Sequence, residues 1–248
     1  MLVRVEGIVI RSVDYGEGNK ILSIFSKEAG KLSVMARGAK KLKSRHTAIA
    51  QPFTYGEFVI YKAGQMGTLN SGEIGNAYQG LREDIHKAAY ASYLMELTER
   101  TMGENERNAP LFDQLKAALD AIDEGKDPQI VVHIYELKIL AIAGYMPELG
   151  KCVSCGSTDG AMSLSIPMGG TLCPRCRHND PGALAVTEGM LKLLRLFLNM
   201  DIRRLGRTDV KPGTKSQLKL FIRKFLDEHI DVKWKSRNFI DQMDKYGL

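Results

Sequence analysis

The chain has 248 residues, 44% hydrophobic and 26% charged, with a formal net charge of +6. That balance is ordinary for a globular chain and excludes collagen-like or low-complexity classes. No apolar run approaches the roughly 20 residues of a membrane span, and the N-terminus lacks the apolar core and cleavage site of a secretory signal, so no membrane partner is expected.

Residues 1–79 read as β structure. Leu2 to Arg11 alternates and is apolar on both faces at its centre, as a barrel strand is. Asp14 to Asn19 is a turn cluster, Lys20 to Phe25 a second strand, Glu28-Ala29-Gly30 a turn and Lys31 to Ala36 a third strand. Phe53 to Tyr61 is a fourth strand and Thr68 to Ala77 a fifth. Five short strands with a long connection between the third and fourth predict an OB-fold. Gly16-Glu17-Gly18-Asn19-Lys20 lies between two strands, without a helix N-terminus or a Gly-Lys-Ser/Thr step, so it is a barrel turn and not a phosphate loop.

The long connection carries the charge. Between Lys31 and Arg45 there are six bases (Lys31, Arg37, Lys40, Lys41, Lys43, Arg45) and no acid within the run to pair with them. Gly38 and Ala39 leave the backbone bare enough for a phosphate chain to approach. Tyr15, Phe53, Tyr55, Phe58 and Tyr61 lie nearby; at least half of these rings are expected inside the barrel, and the rest are free to stack on bases.

From Gly80 the period changes to helical. Leu81 to Leu97 gives one apolar stripe and Leu111 to Ile122 another. Pro128 opens a helix with Asp127 before it, and Ile130 to Ala143 is apolar nearly all round, the mark of a buried helix that ends at Gly144 and Pro147. His133 with Glu136 in that helix reads as a satisfied core histidine. Between Leu81 and Gly150 there are seven bases against 13 acids.

Cys152, Cys155, Cys173 and Cys176 are the only cysteines, two C-x-x-C pairs separated by 17 residues. That spacing is that of a four-thiolate zinc site. Four protein ligands leave no open position, so the expected ion is one structural Zn²⁺. Four thiolates also suit iron, and a pair of redox disulfides is the other reading. His178 is a spare ligand at most, because four thiolates suffice. Metal-type cysteines point to a reducing cytoplasm. Met162–Ile166 and Gly170–Leu172 form a short hairpin between the knuckles.

A helix capped near Thr187 runs through Leu198, Pro212 and Gly213 break the chain, and Gln217 to Ile230 forms a last amphipathic helix. Between Arg203 and Lys224 there are eight bases against one acid, Asp209. The fold class is therefore α+β: an OB-fold domain at 1–79, a helical domain at 80–150 and 182–248, and a zinc-binding insertion at 151–181. Two basic runs on either side of a metal knuckle point to a polyanionic partner, bound without sequence preference. No Ser/His/Asp set and no carboxylate pair in a defined site emerges, so no enzymatic activity is expected.

The order of parts, with Gly7-Ile8-Val9-Ile10-Arg11, Tyr15-Gly16-Glu17, Gly30-Lys31-Leu32, Arg37-Gly38-Ala39-Lys40, Lys43-Ser44-Arg45 and Gln51-Pro52-Phe53, resembles the bacterial recombination mediator RecO family over essentially the whole chain. Leu42 and His46 depart from its basic-loop pattern, and the cysteine knuckles occur in only part of the family. The resemblance implies a DNA repair protein of homologous recombination that binds single- and double-stranded DNA and anneals complementary strands. It implies action with RecR to load RecA onto DNA coated by single-strand-binding protein, in the cytoplasm at the nucleoid. It also implies a pocket for that protein's acidic, Phe-ending tail, with the Arg203–Lys224 set as a rim. The DNA-binding set is then Arg11, Lys31, Arg37, Lys40, Lys41, Lys43 and Arg45 in the barrel, with Arg203, Arg204, Arg207, Lys215, Lys219 and Arg223 near the C-terminus. The alternatives are a zinc-ribbon transcription or translation factor and, from the enzyme class, a CxxC thiol oxidoreductase or zinc hydrolase.

Overall fold

The computed structural model describes residues 1–62 and 64–247. Two compact units emerge, one of Met1–Pro128 with Trp234–Leu248 and one of Gln129–Lys233.

In the first unit, β1 (Leu2–Tyr15), β2 (Asn19–Ser26), β3 (Gly30–Ala36), β4 (Tyr55–Lys62) and β5 (Gly67–Asn76) close a barrel in the order β1-β2-β3-β5-β4. This is the OB-fold expected from the alternation. β1 pairs with β4 through Leu2–Ile8 and with β2 through Gly7–Tyr15, and its register shifts between Val9 and Arg11. That irregularity lets one long strand turn a corner and seal the barrel. β3 and β5 pair in parallel, Met35 opposite Thr68. Val9, Leu22, Ile24, Val34, Phe58 and Ile60 fill the interior and are all fully buried.

Phe53 does not begin the fourth strand. It sits at φ 71°, donates its N–H to the Val9 carbonyl at 2.9 Å, and turns a corner before β4 starts at Tyr55. A bulky residue in the left-handed region is strained, and the surrounding backbone bonds hold it there.

The helical stripe that starts at Leu81 is interrupted. α1 (Gln79–Glu83) stops at Asp84, whose extended backbone and carboxylate cap α2 (Ile85–Thr101) by accepting from the N–H groups of His86 and Lys87. α3 (Ala109–Asp123) has Asn108 as N-cap and packs on the barrel through Phe112, whose ring lies 6.0 Å from that of Phe25. Gly30, at φ +69°, lets the α2–α3 loop approach: a Cβ there would lie 2.1 Å from the Glu106 carbonyl oxygen.

The last helix of this unit, α7 (Lys235–Tyr246), is missing from the sequence reading. It buries only Ile240 and Met243, too few for a visible apolar stripe. Its first turn is instead secured by Glu96 of α2, whose two carboxylate oxygens accept from the N–H groups of Lys235 and Ser236 at 2.9 and 2.7 Å. The preceding Trp234 is buried edge-on against Tyr93, 6.3 Å between ring centroids.

In the second unit, α4 (Pro128–Ile142) is buried on all sides from Ile130 to Leu140 except at the half-buried Lys138, and emerges at its ends, where Ala141 is exposed. Lys138 donates to the Leu198 carbonyl at 2.7 Å, placing a cation at the C-terminal end of α5 (Glu188–Asn199). Thr187 caps α5 by accepting from Met190 N–H. The core histidine is only half satisfied: His133 Nδ1 meets Glu136 Oε2 at 2.8 Å, while Nε2 has no hydrogen-bond partner among the described residues. β6 (Ser163–Ser165) pairs with β7 (Gly170–Leu172) in the expected hairpin and also with β8 (Leu184–Ala185), too short to be legible beforehand. Pro212 and Gly213 begin a helix and do not break one: α6 runs Pro212–His229, five residues longer at its start than expected. Proline is tolerated in a first turn because its missing N–H has no helical acceptor there.

Candidate nucleic-acid interface and metal centre

The β3–β4 connection forms a basic bowl against the barrel. Lys40 N–H donates to the Gly18 carbonyl at 3.1 Å, and Asn19 Oδ1 accepts from Gly38 N–H at 2.9 Å, so the β1–β2 turn straps the loop down. Gly38 takes φ +71°, which a side chain would resist. His46 lies beneath, 8% exposed, with Nδ1 3.2 Å from the Arg37 carbonyl and Nε2 3.4 Å from that of Asn70. Arg45 donates to the same Asn70 carbonyl at 3.1 Å. The bowl encloses about 450 Å³ between Arg37, Lys41, Lys43 and Arg45, and no carboxylate among the described residues lines it. All four are exposed, and none has an ion-pair partner among the described residues.

The other bases differ. Lys40 is not without an acid, as its run implied: Asp14 at the end of β1 meets it at 2.9 Å, and this contact holds the Asp14 carboxyl below the usual range. Lys31 is 9% exposed; its ammonium donates to the Glu99 carbonyl at 2.9 Å and lies 3.8 Å from Glu104. Arg11 lies 3.7 Å from Glu99. It lines a cavity of about 900 Å³ in which Arg100 and Lys235 share the walls with Glu96 and Glu99, so that cavity is mixed in charge. In the second unit Arg204 and Arg207 are exposed, Arg203 pairs with Asp201 at 2.7 Å, and Lys215, Lys219 and Arg223 of α6 are half-buried.

Of the five rings near the loop, Phe53 and Phe58 are buried, and Tyr55 is half-buried with its hydroxyl donating to Glu6 at 2.8 Å and Lys116 over its face at 4.9 Å. Tyr15 and Tyr61 stay exposed. Asn19 and Asn70, which anchor the bowl, carry no sequence signal, because each acts through a contact distant along the chain.

The four cysteines converge, with all Sγ atoms within 4.8 Å of one another. Each C-x-x-C is a knuckle closed by backbone bonds: Cys152 N–H to the Ser157 carbonyl and Gly156 N–H to the Cys152 carbonyl, both 2.8 Å, and Cys176 N–H to the Cys173 carbonyl at 3.0 Å. Zn–S bonds of about 2.3 Å give a tetrahedron with edges of about 3.8 Å. The Cys155–Cys173 separation of 3.7 Å fits that edge. Burial opposes ionisation of Cys152, but N–H groups of Cys173, Cys155 and Ser154 outweigh it and lower its pKa to about 6. The Ser154 hydroxyl favours the Cys176 thiolate, yet Cys155 and burial push that group up to about 11. The Cys176 thiol therefore resists ionisation, and a dication beside it is the charge that would favour its thiolate. His178 turns away, its Nδ1 at 2.7 Å from the Arg175 carbonyl, and is not in the cluster. No helix among the described residues is long and apolar enough to cross a membrane.

An OB-fold barrel with a bare basic loop, followed by helices that carry a four-cysteine cluster, defines a class of nucleic-acid-binding scaffold. Comparison with known proteins makes this specific. Residues 1–78 match the family Recombination protein O N terminal, and residues 82–238 match Recombination protein O C terminal. DNA repair protein RecO of Halalkalibacterium halodurans is 45% identical over 248 residues, covering 100% of this chain and 98% of that protein. DNA repair protein RecO of Bacillus cereus (strain B4264) is 43% identical over the full length of both, and that of Bacillus subtilis (strain 168) 42% over 244 residues, 98% of this chain and 96% of its own. The chain belongs to the RecO family of DNA repair proteins.

Proposed function

We propose that this chain is a recombination mediator that binds single- and double-stranded DNA and anneals complementary strands. With RecR it helps load RecA onto DNA coated by single-strand-binding protein, whose acidic tail it recognises. In this reading residues 1–79 form the DNA-binding domain, residues 151–181 hold one structural Zn²⁺ on Cys152, Cys155, Cys173 and Cys176, and the protein works in the bacterial cytoplasm at the nucleoid.

The observation that carries the reading is the carboxylate-free bowl of Arg37, Lys41, Lys43 and Arg45. Two DNA strands repel through their phosphates. A surface that neutralises phosphates without touching base edges lowers that repulsion and leaves the edges free to pair. Arg204, Arg207 and the bases of α6 supply a second positive set in the other unit. No bond is made or broken, so no covalent step is assigned. Zinc would serve as a clamp, holding the two knuckles together with all four of its positions filled.

Four phosphate contacts in the bowl give a log–log salt slope of about −3 for a single strand. Reversing charge at Arg37, Lys41, Lys43 and Arg45 is expected to remove most of that slope and to slow annealing of coated complementary strands. An unchanged salt titration and annealing rate would take the bowl out of the mechanism. Sequence-specific duplex binding without annealing would favour the transcription-factor reading.

A further inference from the structure

The barrel carries an apolar row on its outside, at the end where the basic bowl sits. Strand register places Leu2, Tyr61, Thr68, Met35, Ile21 and Val13 side by side across β1, β4, β5, β3, β2 and back to β1. Their chain neighbours Ile60, Leu69, Val34 and Leu22 point inward and are at most 2% exposed, so the row itself faces out. Tyr61 is 51% exposed and Leu2 60%.

Arg37 joins this row to the bowl. It follows Met35 by two positions, lines the bowl, and also lines a second cavity of about 430 Å³ together with Tyr61, Met66, Thr68 and Asn70. Cationic groups therefore run without interruption into an exposed ring. Single-stranded nucleic acid offers the matching chemistry, phosphates on one side and bare base faces on the other. A duplex matches only the charge, because its base faces are already stacked.

We propose that Tyr61 is a base-stacking residue, and that a strand held by its phosphates in the bowl crosses β5 and β4 with one base on the Tyr61 ring. Tyr61 thereby adds affinity for single strands that a duplex, its base faces already stacked, does not gain. This rests on the DNA-binding reading above.

The test uses the full-length protein with an oligo-dT strand and a mixed-sequence duplex of equal length. Tyr61→Ala is expected to weaken oligo-dT binding roughly 5- to 100-fold. The salt slope should stay unchanged and duplex affinity should stay within about twofold. Tyr61→Trp should keep the affinity, and its fluorescence should be quenched by oligo-dT above the constant signal of buried Trp234. If Tyr61→Ala leaves oligo-dT binding within twofold while Arg37→Glu weakens it, the stacking assignment is wrong and the bowl stands. Equal losses for strand and duplex overturn the assignment as well. If neither Tyr61→Ala nor Arg37→Glu changes binding, the DNA-binding reading itself fails.

Discussion

At the scale of single residues, what decides a lysine's role is the company it keeps. Lys31 and Lys43 are equal in sequence, two cations of one acid-free run. In the fold Lys43 lines an open bowl, whereas the Lys31 ammonium sits on the carbonyl of Glu99 in the last turn of α2. A cation at a helix C-terminus satisfies a carbonyl that has no helical donor. Lys31→Ala is therefore expected to lower stability by about 1–3 kcal/mol in urea unfolding, from the partner left unsatisfied. Oligo-dT affinity should change less than twofold, and a tenfold loss at unchanged stability would return Lys31 to the DNA-contacting set.

At the scale of elements, two tyrosines link neighbouring elements through their hydroxyls. The Tyr78 hydroxyl donates to Asp120 of α3 at 2.5 Å, and the Tyr55 hydroxyl of β4 donates to Glu6 of β1. Burial first, then the adjacent carboxylate, raises both pKa values: Tyr55 to about 12, and Tyr78 well above the ordinary tyrosine range. A group whose folded pKa lies above its unfolded value contributes stability that is whole below the unfolded pKa and is lost as pH rises through the folded one. Stability should therefore hold up to about pH 10 and fall beyond it. Urea unfolding across that window checks this. Tyr78→Phe should be less stable at neutral pH and show a shallower alkaline decline; an identical decline would mean that other groups carry the alkaline limb.

The element scale also separates what sequence patterning reveals from what it hides. The barrel strands were legible because alternation and turn residues are local. Helix α7 was not, because Glu96 and Trp234 secure it through contacts that no periodicity in residues 235–246 records. Pro212 reads as a break in the sequence for a similar reason, since the same ring ends one helix or opens the next, depending on which side the backbone acceptors lie. β propensity places Phe53 in a strand, and its backbone bond to Val9 of β1 overrides that preference.

At the scale of the whole molecule, the proposed metal matters most. Closing two knuckles across a chain segment is worth about 10 kcal/mol of apparent binding free energy in zinc-finger peptides. Cys173→Ser in the full chain is expected to release one equivalent of zinc, read by elemental analysis, and to lower the unfolding midpoint. Oligo-dT binding through the bowl, which belongs to the other unit, should persist. A variant that is equally stable and equally metal-free beside a metal-free parent would exclude the structural ion.

By itself the sequence determined the five-stranded barrel, the four-cysteine cluster and the acid-free run of bases, because period, spacing and local charge need no knowledge of distant partners, while its motifs carried the resemblance to the family. Only the tertiary structure decided which cations remain bare and which ring is exposed. Lys31 is claimed by Glu99, 68 positions away, Lys40 by Asp14, and Phe58 by the barrel interior, while Tyr61 is left outside. Exposure is a property of what lies across the fold, and a chain acquires it only when its strands close.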